Sequence, residues 1–244
     1  MDRNKIHDET TTDKFCSNCG HPLAFQRIDK SYIIEELSNI INLKKGFFYT
    51  VKEVYIRPGK TAKKFTNGER KRFVKPVVFL IICSLLYTIS KYFFNYELGY
   101  INYNDKFTDP SVTVKMFKWF AENYGYSNIL MAIFIAFWVK IFFRKSVYNY
   151  FEILILVFYI TGVSTLIYTL SGIFDTTIGI NVSQFSLYLS LLYTSWSIAN
   201  FFETKKKLHF VKAVLSHLFG LATSILMLLA IGNGLELLIK VISI

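Results

Sequence analysis

The sequence predicts an all-α polytopic membrane protein. It reads as a bundle of about five transmembrane helices, with cytosolic amphipathic helices and a short CxxCG knuckle ahead of it. Three observations carry this. The 244 residues are 52% hydrophobic and 18% aromatic, with a mean hydropathy of +0.35, values that suit a bilayer rather than water as solvent. Several apolar runs reach the roughly 20 residues that a helix rising about 1.5 Å per residue needs to cross a hydrocarbon core of about 30 Å. The net charge of +11 is concentrated ahead of the first such run.

The chain divides into a polar segment, 1–30, a basic amphipathic juxtamembrane region, 31–73, and a transmembrane region, 74–244. Residues 1–15 are charged and Thr-rich without hydrophobic period, and no signal-peptide pattern of apolar core and small-residue cleavage site occurs in the first 22. Cys16-Ser17-Asn18-Cys19-Gly20 is one half of a zinc ribbon: two thiolates on a tight knuckle, with glycine letting the backbone fold round a metal. Zinc is therefore the candidate cofactor, with Cys16 and Cys19 as two of the four ligands a structural site needs. The other candidates are His7 and His21, and His21 follows Cys19 too closely to share a tetrahedral ion without strain. A zinc completed from elsewhere and a knuckle without a partner both remain open. Three cysteines in all cannot build a disulfide framework, which suits a reducing compartment.

Residues 31–43, SYIIEELSNIINL, place Ile33, Leu37, Ile40 and Ile41 at helical spacing opposite Glu35, Glu36 and Asn39. A second apolar and basic piece, Phe47 to Ile56, is broken by Pro58-Gly59. Such segments either lie in the headgroup plane or pack on the cytosolic ends of transmembrane helices. From Lys44 to Lys75 eleven Lys and Arg face two acids, Glu53 and Glu69. Arg57, Lys60, Lys63, Lys64, Arg70, Lys71, Arg72 and Lys75 are the candidate lipid- or partner-binding residues of this collar. Clusters of this size beside a membrane helix attract anionic lipid at roughly 1 kcal/mol per residue. The glycines within it, Gly59 and Gly68, suggest defined turns making specific headgroup or protein contacts. Gly59-Lys60-Thr61 is not a phosphate-binding loop, because GxxxxGK[ST] needs a glycine where Val54 stands.

The expected spans are Val74 to Phe94, Ser127 to Phe143, Phe151 to Phe174, Gln184 to Phe202 and Val211 to Gly232, all helical because a bilayer offers no other partner for backbone groups outside a closed barrel. Pro76 suits an opening turn, and Lys91 and Lys140 fall near helix ends where they can snorkel. With the N-terminus inside, 23 of the 28 basic residues lie on the cytosolic side, so the positive-inside rule favours N-in and C-out. The expected location is the cytoplasmic (inner) membrane. Within the outer loop 95–126, VTVKMFKWFAENYG reads as an interfacial helix, and the tail from Leu235 to Ile244 is too short to cross again.

Within the spans, hydroxyls recur at helical spacing: Thr161, Thr165 and Thr169 in the third, and Ser186, Ser190, Thr194 and Ser197 in the fourth. Such residues usually let helices approach closely. His217 is the one buried titratable candidate and a polar intramembrane site, with a bond to a neighbouring hydroxyl as its expected role. No mid-membrane carboxylate of the kind ion-driven transporters keep is present. No catalytic constellation emerges either: HExxH and GxSxG are absent and Cys83 has no base nearby.

The order Phe15-Cys16-x-x-Cys19-Gly20, Gly46-Phe47-x-Tyr49-Thr50, Arg57-Pro58-Gly59-Lys60-Thr61, Gly68-x-Arg70 and Lys75-Pro76 before a span resembles a family of small bacterial membrane proteins described only as a domain of unknown function. The resemblance covers about residues 15–90. Members often carry two CxxCG knuckles, and this chain has one; the resemblance implies no activity. In span number and cytosolic N-terminus the chain also looks like the Yip1-type membrane proteins, which implies a role as a trafficking or assembly partner. The sequence thus points to a non-enzymatic scaffold or adaptor, with the bilayer, anionic phospholipids and a protein partner or second copy as partners and no nucleic acid. The alternative is a permease or channel-like protein for a small polar or lipid substrate, using the third to fifth spans.

Overall fold

A computed structural model describes residues 46–96, 111–179, 182–202 and 207–242, all within one compact unit, Asn42–Ile244. The expected knuckle at Cys16 and Cys19 and the helix expected over 31–43 lie outside the described residues. Among the described residues there are eight α-helices and no strand: α1 (Phe47–Ile56), α2 (Pro58–Thr66), a 3-10 turn at Arg70–Arg72, α3 (Pro76–Phe94), α4 (Val112–Glu122), α5 (Tyr124–Phe142), α6 (Tyr150–Ile178), α7 (Ser183–Phe201) and α8 (Lys207–Ile242).

Helix α6 is the axis of the bundle. The most apolar stretch of this 29-residue helix is 72% buried, against 28–39% for the other candidate spans, and it packs on α3, α5, α7, α1 and α2. Its start is set locally: Asn149 Oδ1 accepts from the Glu152 amide at 2.9 Å while Glu152 Oε2 accepts from the Asn149 amide at 2.8 Å, a reciprocal cap that satisfies two otherwise unpaired donors. Lys140, near the helix end as expected, donates from Nζ to the Tyr148 carbonyl at 2.6 Å and so ties off the α5–α6 connection. Helix α8 forms an outer wall against α4, α5 and α7. Its crossing with α5 is close because Gly220 lies on Ile135, where a methyl would meet the Ile135 Cα at 2.6 Å. Trp138 donates from Nε1 to Thr223 Oγ1 at 3.2 Å and stacks on Phe219 at the same seam.

Four described helices, α3, α5, α6 and α8, are long and apolar enough to cross a membrane. The expected span at 184–202 forms the 19-residue α7 but is not among them. Its stretch is diluted by Ser186, Ser190, Thr194, Ser195 and Ser197, which the bundle buries. The last span is also longer than 211–232. The tail from Leu235, too short to cross again by itself, continues α8 without a break to Ile242, giving 36 residues or about 54 Å, well over the hydrocarbon thickness. Its far end fastens the expected interfacial helix α4: the Thr113 amide donates to Glu236 Oε1 at 3.4 Å and its hydroxyl to Asn233 Oδ1 at 3.2 Å.

Candidate functional site

The basic collar is a folded head, docked on the ends of α3, α6 and α7. Helix α1 buries Phe47, Thr50 and Val54; it stops at Ile56 because Arg57 leaves helical geometry (φ −139°, ψ 56°) and Pro58, lacking an amide proton, opens α2 at no hydrogen-bond cost. Thr61 closes the corner, its hydroxyl donating to the carbonyls of Arg57 (2.9 Å) and Glu53 (3.1 Å). Helix α2 then turns Pro58, Gly59, Thr61, Ala62 and Phe65 inward. Gly59 sits on the last turn of α7: a methyl there would lie 2.7 Å from the Phe201 amide nitrogen and 2.8 Å from its Cα. Gly68, at φ +106°, supplies the left-handed turn that leads into the 3-10 segment.

Three buried hydrogen bonds lock the head to the bundle. The Val74 amide donates to Thr50 Oγ1 at 3.1 Å, the Tyr159 hydroxyl of α6 donates to the Val74 carbonyl at 2.7 Å, and the Tyr193 hydroxyl of α7 donates to the Val54 carbonyl at 2.9 Å. Aromatic rings fill the seam between them, with Phe79 and Phe65 each edge-on to Tyr159 and Tyr55 stacked on Tyr193. The two glycines expected to define turns thus have distinct roles: Gly59 lets α2 approach α7, and Gly68 makes the turn.

The docked helices direct their cations outward. Arg57, Lys60, Lys64, Arg70, Arg72 and Lys75 are exposed, Lys63 is half-buried, and the Lys71 side chain lies outside what is described. Two cations also have structural roles. The Lys63 ammonium lies 5.5 Å from the Tyr148 ring centroid and 5.6 Å from that of Phe201, and Arg70 lies 5.8 Å from Phe65, distances at which ring quadrupoles attract a cation. Beside the charges, Phe48, Tyr55 and Ile56 are exposed, Phe48 to 78%. No group of three or more His, Cys, Asp or Glu arranged for a metal occurs among the described residues, and Cys16 and Cys19 lie outside them.

Inside the bundle the hydroxyl stripes bond to their own helices. Thr165, Thr169, Thr194 and Ser197 donate to the carbonyls of Thr161, Thr165, Ser190 and Tyr193 at 2.6–2.9 Å. That arrangement favours close helix packing over a polar path. His217 is buried, 4% exposed, but its Nδ1 has no hydrogen-bond partner, so the expected bond from that nitrogen to a neighbouring hydroxyl is not formed. The ring instead lines a cavity of about 180 Å³ between α4, α5, α7 and α8. The structure adds one polar centre that sequence reasoning passed over. Asn128, 1% exposed, donates from Nδ2 to Ser84 Oγ of α3 at 3.2 Å and to Thr165 Oγ1 of α6 at 3.1 Å. A lone amide near the start of an apolar run was its only signal.

Residues 45–88 match the family described as protein of unknown function (DUF3667). The matched segment contains α1, α2, the 3-10 turn and the first two-thirds of α3, so it covers the docked head and the helix it feeds. No curated protein and no solved structure matches the chain.

Proposed function

We propose that this chain is a non-enzymatic, multi-pass protein of a bacterial cytoplasmic membrane, its N-terminus inside, whose head holds anionic lipid headgroups and so anchors or organises that face of the bilayer. The observation that supports it is the division of the head into two faces. One side of α1 and α2 is buried against the bundle, while Arg57, Lys60, Lys64, Arg72 and Lys75 remain exposed immediately before the first crossing helix. Exposed Phe48, Tyr55 and Ile56 beside them complete the usual composition of a surface that meets the boundary between headgroups and acyl chains. At roughly 1 kcal/mol per cation near an anionic surface, even half of these residues would enrich anionic lipid around the protein.

The test is to reconstitute the full chain in nanodiscs of mixed anionic and zwitterionic lipid and to measure by mass spectrometry which lipids stay with it. The wild type is expected to retain anionic lipid above its bulk fraction, and the variant Arg57→Gln, Lys60→Gln, Lys64→Gln, Arg72→Gln to lose that excess while remaining folded. Equal retention by both would remove the lipid reading and leave a protein partner as the ligand of the head.

A further inference from the structure

We propose that the cavity between α4, α5, α7 and α8 binds a small, largely apolar molecule carrying one hydroxyl, a phenol or cyclic alcohol, which enters from the hydrocarbon phase. This is independent of the reading of the basic head. Its inner wall is Phe120 of α4 and Met131 of α5, both buried; its mouth is formed by Leu187 of α7 with Leu218 and Ile225 of α8, all exposed on the bundle's outer surface. In a bilayer such a mouth opens on lipid rather than water, which selects a lipid-soluble occupant.

Size and chemistry narrow the class. A volume of about 180 Å³ is slightly above the roughly 150 Å³ of an apolar protein cavity that accepts one benzene ring. It therefore suits a substituted six-membered ring and is too small for an acyl chain of full length. The wall is apolar except at His217 and Ser224. Ser224 already uses its proton, donating to the Leu221 carbonyl at 2.8 Å, so it presents lone pairs. His217 Nδ1 is buried with no partner, and a buried polar nitrogen normally has one. A ligand hydroxyl can donate to Nδ1 in one imidazole tautomer and accept from it in the other. A hydrocarbon of the same shape would leave that nitrogen unsatisfied.

The probes are p-cresol and toluene, which differ by that hydroxyl. The full chain carrying 15N-labelled histidine, in detergent micelles, is titrated with each, and the His217 ring-nitrogen resonance is assigned by its loss in His217→Leu. The expected result is a saturable shift of the Nδ1 resonance with p-cresol, at least tenfold tighter than any response to toluene. His217→Leu should reduce the preference, read from thermal stabilisation by the two probes, to less than threefold. Leu191 of α7 also lines the cavity, and Leu191→Trp, which fills it, should abolish the p-cresol shift with His217 intact. Equal responses to the two probes, no saturable shift in the unaltered protein, or a shift that survives Leu191→Trp would each overturn the proposal and assign the cavity to water or to lipid chains.

Discussion

Gly59 of α2 lies against the backbone of Phe201 at the end of α7, with 2.7 Å between the position a methyl would take and the Phe201 amide nitrogen. Backbone cannot rotate away as a flexible side chain can. Gly59→Ala must therefore push α2 off the bundle, at a cost of about 1–3 kcal/mol for overpacking. Gly68→Ala provides the contrast, since it meets no atom within 4 Å and is strained only by its φ of +106°. In thermal unfolding followed in nanodiscs, Gly59→Ala is expected to melt earlier than wild type and to expose the head to protease. Gly68→Ala should melt earlier without that exposure.

Removing the Tyr159 hydroxyl leaves the buried Val74 carbonyl without its donor. Tyr159→Phe keeps the ring that packs on Phe65 and Phe79, so the loss isolates the hydrogen bond, about 1–3 kcal/mol for an orphaned buried acceptor. Tyr193→Phe, which frees the Val54 carbonyl, should cost a similar amount. Because both bonds fix the same head, the double variant should depart from additivity, and a double-mutant cycle on unfolding free energy measures it.

Asn128 joins α3, α5 and α6 through Ser84 and Thr165, yet its Oδ1 is buried without a partner. Replacing it by leucine removes two hydrogen bonds and one unsatisfied oxygen together. Interhelical bonds of this kind average about 0.6 kcal/mol in membranes, so Asn128→Leu should stay within about 1 kcal/mol of wild type, whereas Asn128→Ala should cost more by also opening a cavity. Equilibrium unfolding in detergent separates the two.

If the head holds anionic lipid by charge, retention must weaken as salt shortens the screening length from about 10 Å at 0.1 M to about 3 Å at 1 M. The lipid excess around the wild type should fall across that range, and the lipid content around the charge-neutralised variant should not change.

The helical bundle was legible because hydrophobic length and charge are local properties: the starts of α3 and α6 fall within two residues of expectation. α7 forms over the expected 184–202, but its hydroxyls make it less apolar than the other long helices, and the neighbours that accommodate them cannot be read locally. The tail was read as separate because ten apolar residues cannot cross alone, whereas Gly232 and Asn233 let α8 run on past Thr113. The RPGKT segment was the most conspicuous motif and the least decipherable. Nothing local says that its glycine answers to Phe201, 142 positions later. The environments of His217 and Asn128 likewise depend on helices distant in sequence.

Amide hydrogen exchange of residues 59–66 in nanodiscs tests the central claim most directly, because a docked head and a charged strap on the membrane surface differ there more than anywhere else. The account predicts slow exchange in α2, comparable with the adjoining turns of α6 and α7, and a large acceleration in Gly59→Ala. Rapid exchange of 59–66 in the wild type would contradict it, since the cations would then sit on an unfolded segment and the two-faced head would not exist.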